Sequence, residues 1–307
     1  MWYMSYFWGQ TTYVSTVLGM SPSSIAAFYR EFTHEIPDLD ASVSRYGIVY
    51  HPNYVTYMLR AMQHKFGVPP QLHCLKNVKF RQAATLGVMV RVSGKAVACD
   101  KDSGRSVWQV ELMDASDASS RVLLTAEATV SWPAMGALPP GCEAPEAEVS
   151  REIPTGLLEP LPEEFFAPST ELDATVWQDE LTDGKLSYRA ILTYFERVRT
   201  MSLGVSEDGE LALESLQKEG FAVVLSGIQD FRFDPEGVAL GDKLKIMVGV
   251  RITKGGRVLN MYHSLWRQDG GLVAHASIAL FCMDTKTLKF RTVPQWIQDR
   301  VNSGSSS

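Results

Sequence analysis

The stretch RYGIVYHPNYVTYMLRAM, residues 45–62, contains the transition that decides the fold. Its residues 48–50 are β-branched or aromatic and favour a strand, and polar residues follow them at once. Pro52 suits the first turn of a helix, where its missing N–H costs no hydrogen bond. Apolar residues then recur at helical spacing, at Val55, Leu59, Met62 and Phe66. The pattern predicts a strand that leads directly into a helix over residues 52–66.

The segment DGKLSYRAILTYFERVRTMSLG, residues 183–204, repeats this organisation. When Gly184 is placed on Gly47, no gap is needed and Tyr194 falls on Tyr57. In the second segment Ile191, Phe195, Val198 and Ser202 follow the same i, i+4, i+7 and i+11 spacing, and the first three of them are apolar, which gives this helix one apolar face as well. The repeat therefore predicts a second helix, equivalent to the first, over about residues 187–203.

Long alternating segments that favour strands follow each predicted helix. Residues 86–114 align with residues 240–271, and short polar turns such as DSG, KGG and DGG divide them into antiparallel hairpins. A helix followed by antiparallel strands has to bury its apolar face on the sheet that the strands form. The sequence predicts an α+β fold in which each half wraps an antiparallel sheet around one long helix. Two similar halves usually pack as a pseudo-dimer.

The segment between the halves is rich in proline and acidic residues and shows no sustained period, which is typical of a linker. The first residues are aromatic and lack the charge pattern of a secretory or mitochondrial leader. We expect them to pack on the domain, with membrane contact as the alternative. The predicted divisions are an N-terminal apolar segment (1–29), a first domain (30–136), a linker (137–169), a second domain (170–296) and a flexible tail (297–307).

Composition and charge narrow the possible partners. The 307 residues carry a net charge of -6 without a basic block, which disfavours a nucleic-acid partner. The four cysteines are widely spaced, which disfavours structural zinc and a disulfide framework and favours a reducing, cytoplasmic setting. The sequence contains no P-loop, dinucleotide glycine fingerprint or H-E-x-x-H helix. We therefore expect neither a metal nor a cofactor.

The two repeated segments resemble the hotdog-fold acyl-CoA thioesterases, in particular the 4-hydroxybenzoyl-CoA thioesterase group. Residues 47–54, GIVYHPNY, are similar to the family's glycine followed by Val-Tyr-His-x-Asn-Tyr, and residues 194–199, YFERVR, to its helix sequence Tyr-Phe-Glu-Arg-Ala-Arg. The resemblance covers most of residues 30–135 and 172–290. It implies a double hotdog, two copies in one chain, that hydrolyses an acyl-CoA or acyl-carrier-protein thioester. Further association into a homo-oligomer stays open.

The chain departs from the family pattern at its carboxylates. In an ungapped reading Ser44 and Leu181 stand at the catalytic aspartate position, and Leu59 replaces the helix glutamate that the second half keeps as Glu196. The candidate catalytic residues are His51, Asp179, Glu196, Asp40 and Ser44. The candidate substrate-binding residues are Gly47, Asn53, Tyr54, Gly184 and Tyr188. Each half lacks a residue of the family site that the other half keeps. The sequence therefore predicts one composite site at the interface of the halves.

Several of these candidates have a functional and a structural interpretation. A helix N-terminus offers N–H donors and partial positive charge to a thioester carbonyl, and a glycine before it lets the substrate approach the backbone. His51 either orients the carbonyl or a water, or caps the helix. Asn53 either donates to the thioester or stabilises the turn, and Tyr54 and Tyr188 are either groove walls or core. Glu196 is either a general base or the partner of a nearby arginine.

The remaining candidates stand in for the missing aspartates. Asp40 and Asp179 are carboxylates close to the altered positions, and Ser44 could position a water. Because both aspartate positions are altered, a non-catalytic acyl-binding or scaffold protein remains an alternative. A hotdog dehydratase or hydratase is less favoured, since the sequence contains no Asp-x-Asn-Pro-x-His run.

Overall fold

A single antiparallel sheet runs through both halves of the chain. The computed structural model describes residues 31–37, 51–84, 88–116, 121–133, 158–204, 212–234, 236–287 and 289–303. The strands of the sheet are β1 (Glu31–Pro37), β2 (Gln71–Phe80), β3 (Met89–Asp100), β4 (Arg105–Asp114), β5 (Arg121–Ser131), β6 (Ser169–Thr175), β9 (Phe221–Phe233), β10 (Lys243–Thr253), β11 (Val258–Arg267), β12 (Leu272–Asp284) and β13 (Phe290–Arg291). A separate small hairpin is formed by β7 (Leu181–Thr182) and β8 (Lys185–Leu186).

The order of the strands repeats in mirror fashion about the centre of the sheet. It is β1-β3-β4-β5-β2-β9-β12-β11-β10-β6, with β13 paired to β12. Each strand of the first half thus has a counterpart at the same distance from the centre in the second half. At the centre β2 pairs with β9, where Leu75 lies opposite Phe231 and Val78 opposite Ile228. This order confirms the two similar halves that the sequence repeat predicts.

The two long helices begin and end at aligned positions. The helices are α1 (His51–Phe66), α2 (Tyr188–Leu203), α3 (Ala212–Lys218) and α4 (Gln295–Ser303). Ser187 caps α2, because its hydroxyl accepts a hydrogen bond of 3.1 Å from the backbone N–H of Ala190. In α2 the side chains of Ile191, Phe195 and Val198 are fully buried. Burial of each such side chain contributes about 1.5–3 kcal/mol, so packing on the sheet holds the helix.

The predicted flexible tail is wrong for residues 297–303. These residues belong to α4, and the side chain of Ile297 is fully buried in the main core. Val301, one helical turn further on, also packs against the core, and so does Trp296. The two aliphatic residues at i and i+4 provide an apolar face, which anchors the helix on the second half. Residues 304–307 lie outside the described residues.

The last part of the predicted linker is packed on the sheet. Residues 158–168, here called the strap, contain a short 3₁₀ helix (Glu163–Phe166) and cross the face opposite α2. There the ring of Phe165 stacks on Tyr262, with centroids 4.1 Å apart. The carbonyl oxygen of Glu159 lies 3.0 Å from Nδ1 of His275. The remaining linker residues, 137–157, and the segment 1–29 lie outside the described residues, so the domain boundaries stay a prediction.

None of the helices in the described ranges combines the length and apolar character that a membrane span requires.

Candidate functional site

The two long helices meet at their N-terminal turns. Oγ1 of Thr56, in the second turn of α1, lies 2.8 Å from the hydroxyl oxygen of Tyr188, the first residue of α2. Thr56 also donates to the carbonyl oxygen of Pro52 at 3.3 Å. Burial raises the pKa of Tyr188 above its ordinary value, so its hydroxyl keeps its proton at neutral pH. This contact brings together the beginnings of the two copies.

A small cavity lies beside this contact, between α1 and α2. Its volume is about 30 Å³, which is enough for one or two water molecules. Seven of its nine lining residues are apolar, and the other two are the charged residues Glu196 and Arg199 of α2. The complete lining is Pro52, Val55, Phe80, Leu192, Glu196, Arg199, Leu225, Ile228 and Ile278. The first turn of α1 therefore faces the middle of α2 across an interface between the copies.

The two charged residues perturb each other. Burial raises the pKa of the Glu196 carboxyl above its usual range, while the guanidinium of Arg199 acts in the opposite direction. Burial likewise lowers the pKa of Arg199, against the influence of Glu196. Their i, i+3 spacing places both side chains on one face of α2. A carboxylate with a raised pKa is a better proton acceptor at neutral pH than an ordinary one.

A fully buried histidine lies on the inner side of this pair. His263 of β11 packs against the ring of Phe195, with centroids 4.9 Å apart, and is 0% exposed. Its ring comes near backbone groups of Ala276 and Met261, but among the described residues neither ring nitrogen has a partner in hydrogen-bond geometry. Burial and the charge of Arg199 hold the pKa of His263 well below its usual range. The imidazole is therefore neutral at physiological pH.

The charged pair occurs in only one of the two helices. In the gapless alignment of the helices, Leu59 and Met62 of α1 stand where α2 has Glu196 and Arg199. Met62 is fully buried and Leu59 packs against the core. Because the aligned positions of α1 are apolar, the two copies can form only one composite site with a helix carboxylate.

Two wider grooves, of about 560 and 810 Å³, lie elsewhere on the molecule. The first is lined by polar strand residues that include Lys95 and Glu127. The second lies at β6, β10 and β11, where its lining includes Lys243 and Arg267. These linings suit the acyl part of a thioester less well than the apolar cavity between the helices does.

Two of the predicted site residues, Asp179 and Gly184, lie just before α2 and do not border the cavity. Asp179 is exposed in a short 3₁₀ helix (Gln178–Glu180). Its neighbour Glu180 is engaged instead, since Oε2 accepts a hydrogen bond of 2.5 Å from the hydroxyl of Tyr194. Gly184 is exposed in the β7–β8 turn with a φ of +76°, a conformation that favours glycine. Both residues therefore shape the entry to α2 rather than border the cavity.

The predicted residues of the first half have mixed placements. The hydroxyl of Tyr54 accepts a hydrogen bond of 3.0 Å from the backbone N–H of Ala84, and its ring packs against Phe80, with centroids 5.9 Å apart. Tyr54 is 2% exposed, so its structural interpretation is favoured. Asn53 is also buried. His51 is the first residue of α1, but its side chain lies outside the described part of the chain, as do the residues Asp40, Ser44 and Gly47.

Sequence reasoning gave no individual role to two residues at this interface. Thr56 contacts Tyr188 from a position 132 residues earlier in the chain, a separation at which no local pattern operates. The sequence offers Arg199 only as one of several arginines near Glu196 that could pair with it. Its i, i+3 spacing from that glutamate was the available signal. No group of three or more His, Cys, Asp and Glu side chains suited to a metal ion occurs among the described residues.

Comparisons with known proteins support the fold. No protein-family model matches the sequence, and no curated protein matches it. A solved 12:0-ACP thioesterase from Umbellularia californica matches with a TM-score of 0.57 and 11% identity, over 85% of this chain and 97% of that one. An acyl-ACP thioesterase from Bacteroides thetaiotaomicron matches with a TM-score of 0.57 and 8% identity, over 85% of this chain and 100% of that one.

A proposed oleoyl thioesterase from Lactobacillus plantarum also matches, with a TM-score of 0.56 and 13% identity, over 86% of this chain and 96% of that one. These structural neighbours are thioesterases, and each likeness spans both halves of the chain described above. The chain therefore has the α+β double hotdog fold that the sequence resemblance implies. At identities this low the likeness establishes the fold and leaves the activity to be argued from the site.

Proposed function

We propose that the protein hydrolyses an acyl-CoA or acyl-carrier-protein thioester in the composite site between its two halves. One observation carries this proposal: Glu196 borders a water-sized cavity whose opposite wall is the first turn of α1. The names of the structural neighbours include acyl-ACP thioesterases, which supports this substrate class.

The chemistry follows from what the two helices provide. The thioester carbonyl lies against the first turn of α1, where the positive end of the helix dipole stabilises the developing oxyanion. A water in the cavity gives a proton to the Glu196 carboxylate as its oxygen bonds to the carbonyl carbon. The tetrahedral intermediate then collapses, the C–S bond breaks, and the sulfur takes up the proton. The products are a carboxylic acid and a free thiol.

Substitution of the proposed base tests this mechanism. Glu196→Gln keeps the size of the side chain but removes its ability to accept the proton, so kcat should fall about 10²–10⁴-fold. Release of free thiol from a panel of acyl-CoAs measures the rate, and thermal unfolding checks that the fold is intact. Glu219→Gln, at an exposed position after α3, is the matched control. His51→Ala tests the contribution of the first turn of α1.

Full activity of Glu196→Gln would exclude this glutamate as the base. Asp40, together with Ser44, would then be the next candidate, because the family's catalytic aspartate precedes the glycine in this part of the sequence.

A non-catalytic acyl-thioester-binding protein is the second candidate. It is favoured by Ser44 and Leu181, which replace the family aspartate in both halves. Binding of an acyl-CoA without release of thiol would establish it. For either function we propose a cytoplasmic setting, which is supported by the free, buried thiols of Cys74 and Cys282.

A further inference from the structure

Several turns of the second half meet at one end of the sheet. They are the turn between β10 and β11, the turn between β12 and β13, and the connection from α3 to β9. The backbone N–H of Thr285, in the second of these turns, donates to the carbonyl of Gly220 before β9 at 2.9 Å. The N–H of Val293, just after β13, donates to the carbonyl of Gly256 in the first turn at 2.7 Å. These hydrogen bonds hold the turns together as one surface.

This surface is basic, although the whole chain carries a net charge of -6. It comprises residues 214–221, 253–258 and 284–303, here called the basic end, which contain seven basic and four acidic residues. Its net charge is therefore +3. Four of the cations are exposed in the two turns and have no ion pair among the described residues: Lys254, Arg257, Lys286 and Lys289.

The carboxylates of the basic end neutralise only part of this charge. Asp284 accepts hydrogen bonds from the backbone N–H of Lys286 at 3.0 Å and from the guanidinium of Arg291 at 3.2 Å. Its charge is thus used within the turn. The other acidic residues are exposed and lie on α4 and on or beside α3: Asp299, Glu214 and Glu219.

An apolar ring lies among these cations. Phe290 is 67% exposed, although its ring contacts Phe281, with centroids 4.8 Å apart. Its neighbour Arg291 has its guanidinium carbon 4.6 Å from the centroid of the Phe221 ring. Transfer of an exposed phenyl ring from water to an apolar layer is favourable. The basic end therefore offers an apolar ring between flanking positive charges.

Three classes of anionic partner have a charge that complements this surface. A small phosphate ligand needs a concave site, and none of the three cavities described above is lined by these residues. Specific protein interfaces are depleted in lysine, whereas three of the four unpaired cations are lysines. A lipid surface attracts Lys and Arg without a fixed geometry and takes up apolar rings at its headgroup boundary. The lipid surface fits both the charges and the ring.

We propose that the basic end docks the protein reversibly on an anionic lipid surface. The phenyl ring of Phe290 enters the boundary between headgroups and acyl chains, and the cations of the two turns contact the anionic headgroups. This contact is independent of the proposed hydrolysis. It suits the proposed cytoplasmic setting, because the cytoplasmic leaflet of a membrane carries the anionic lipids.

Vesicle binding tests the proposal. We would measure binding of the full chain to vesicles of phosphatidylcholine alone and to vesicles in which about one lipid in four is phosphatidylserine. The protein should bind the anionic vesicles much more tightly than the neutral ones. Binding should weaken as the ionic strength rises, because salt screens the attraction between exposed charges.

Two variants separate the contributions of charge and ring. Each lysine near an anionic surface is worth about a fivefold change in binding. Lys286→Glu combined with Lys289→Glu should therefore bind anionic vesicles at least about 25-fold more weakly. Phe290→Ser should bind about tenfold more weakly, because it loses a ring that is apolar and mostly exposed. It should keep the salt dependence of the unmodified protein.

A matched control makes the same change of charge elsewhere. Lys79→Glu combined with Lys95→Glu reverses two exposed lysines in the wide groove of the first half and should keep the binding within about twofold of the unmodified protein. Thermal unfolding checks each variant. Lys254→Gln combined with Arg257→Gln replaces the first double variant if that variant does not fold.

The outcomes decide between the lipid surface and other partners. No binding to anionic vesicles, or equal losses in the basic-end variant and the matched control, would overturn the proposal. Binding of an acidic acyl carrier protein without binding of vesicles, lost in the basic-end variant, would assign the surface to a protein partner instead. None of the substituted residues borders the cavity between α1 and α2. Thiol release from a dissolved acyl-CoA therefore tests the proposed function separately and should be the same in all these variants.

Discussion

Gly249 allows the strap to lie on the sheet. A Cβ at this position of β10 would stand 1.7 Å from the carbonyl oxygen of Phe165 and 2.9 Å from Cα of Phe166. These neighbours are backbone atoms, so no side-chain rotation can relieve the clash. In Gly249→Ala the strap has to move away from the face of the sheet opposite α2.

The contacts that would be lost set the size of the effect. The stacked ring pair of Phe165 and Tyr262 is worth about 0.5–1.5 kcal/mol beyond its buried area. The hydrogen bonds from Arg251 to the carbonyl of Glu164 and between His275 and the carbonyl of Glu159 are worth about 0.5–1.5 kcal/mol each. The released segment regains conformational freedom, which offsets part of the loss. We therefore expect the free energy of unfolding to fall by about 1–3 kcal/mol.

Urea unfolding and limited proteolysis check this expectation. The midpoint in urea should fall, and residues 158–168 should be cut faster in Gly249→Ala than in the unmodified protein. Phe165→Ala removes the stacking without adding a clash and should cause a smaller loss. The double variant should be less destabilised than the two single effects added together, because both act on one contact. An unchanged midpoint and an unchanged rate of cutting in Gly249→Ala would refute the packing of the strap.

Two further predictions concern the core and the pH dependence. Ile297→Ala should lower the free energy of unfolding by about 2–5 kcal/mol, because Ile297 is fully buried; a loss below about 0.5 kcal/mol in urea unfolding would instead fit a loose tail. Because the pKa of Glu196 is raised in the folded protein, its contribution to stability is present below the ordinary glutamate pKa and is lost as the pH rises through the raised value. Urea unfolding as a function of pH should show this loss in the unmodified protein and lack it in Glu196→Gln; identical profiles would contradict a raised pKa.

The sequence by itself determined the two helices and the repeat. The predicted bounds of 52–66 and 187–203 agree within one residue with His51–Phe66 and Tyr188–Leu203. This agreement has a local cause: apolar residues at helical spacing, Pro52 in a first turn and a serine cap at Ser187 act within a few residues of the chain. The gapless repeat then fixed the equivalence of the halves, which the order of strands in the sheet confirms.

Only the tertiary structure decided which residues share a site. Glu196 and Pro52 belong to different copies, and they border one cavity because α1 and α2 meet across the interface of the halves. Asp179 and Gly184 precede α2 closely in sequence, yet a short 3₁₀ helix holds Asp179, and a tight hairpin holds Gly184, at the surface. The proline-rich composition of the strap predicted a linker, but nothing in the local sequence indicates that Phe165 stacks on Tyr262. Side-chain contacts between distant segments depend on how the sheet folds around its helices, which periodicity within one segment does not encode.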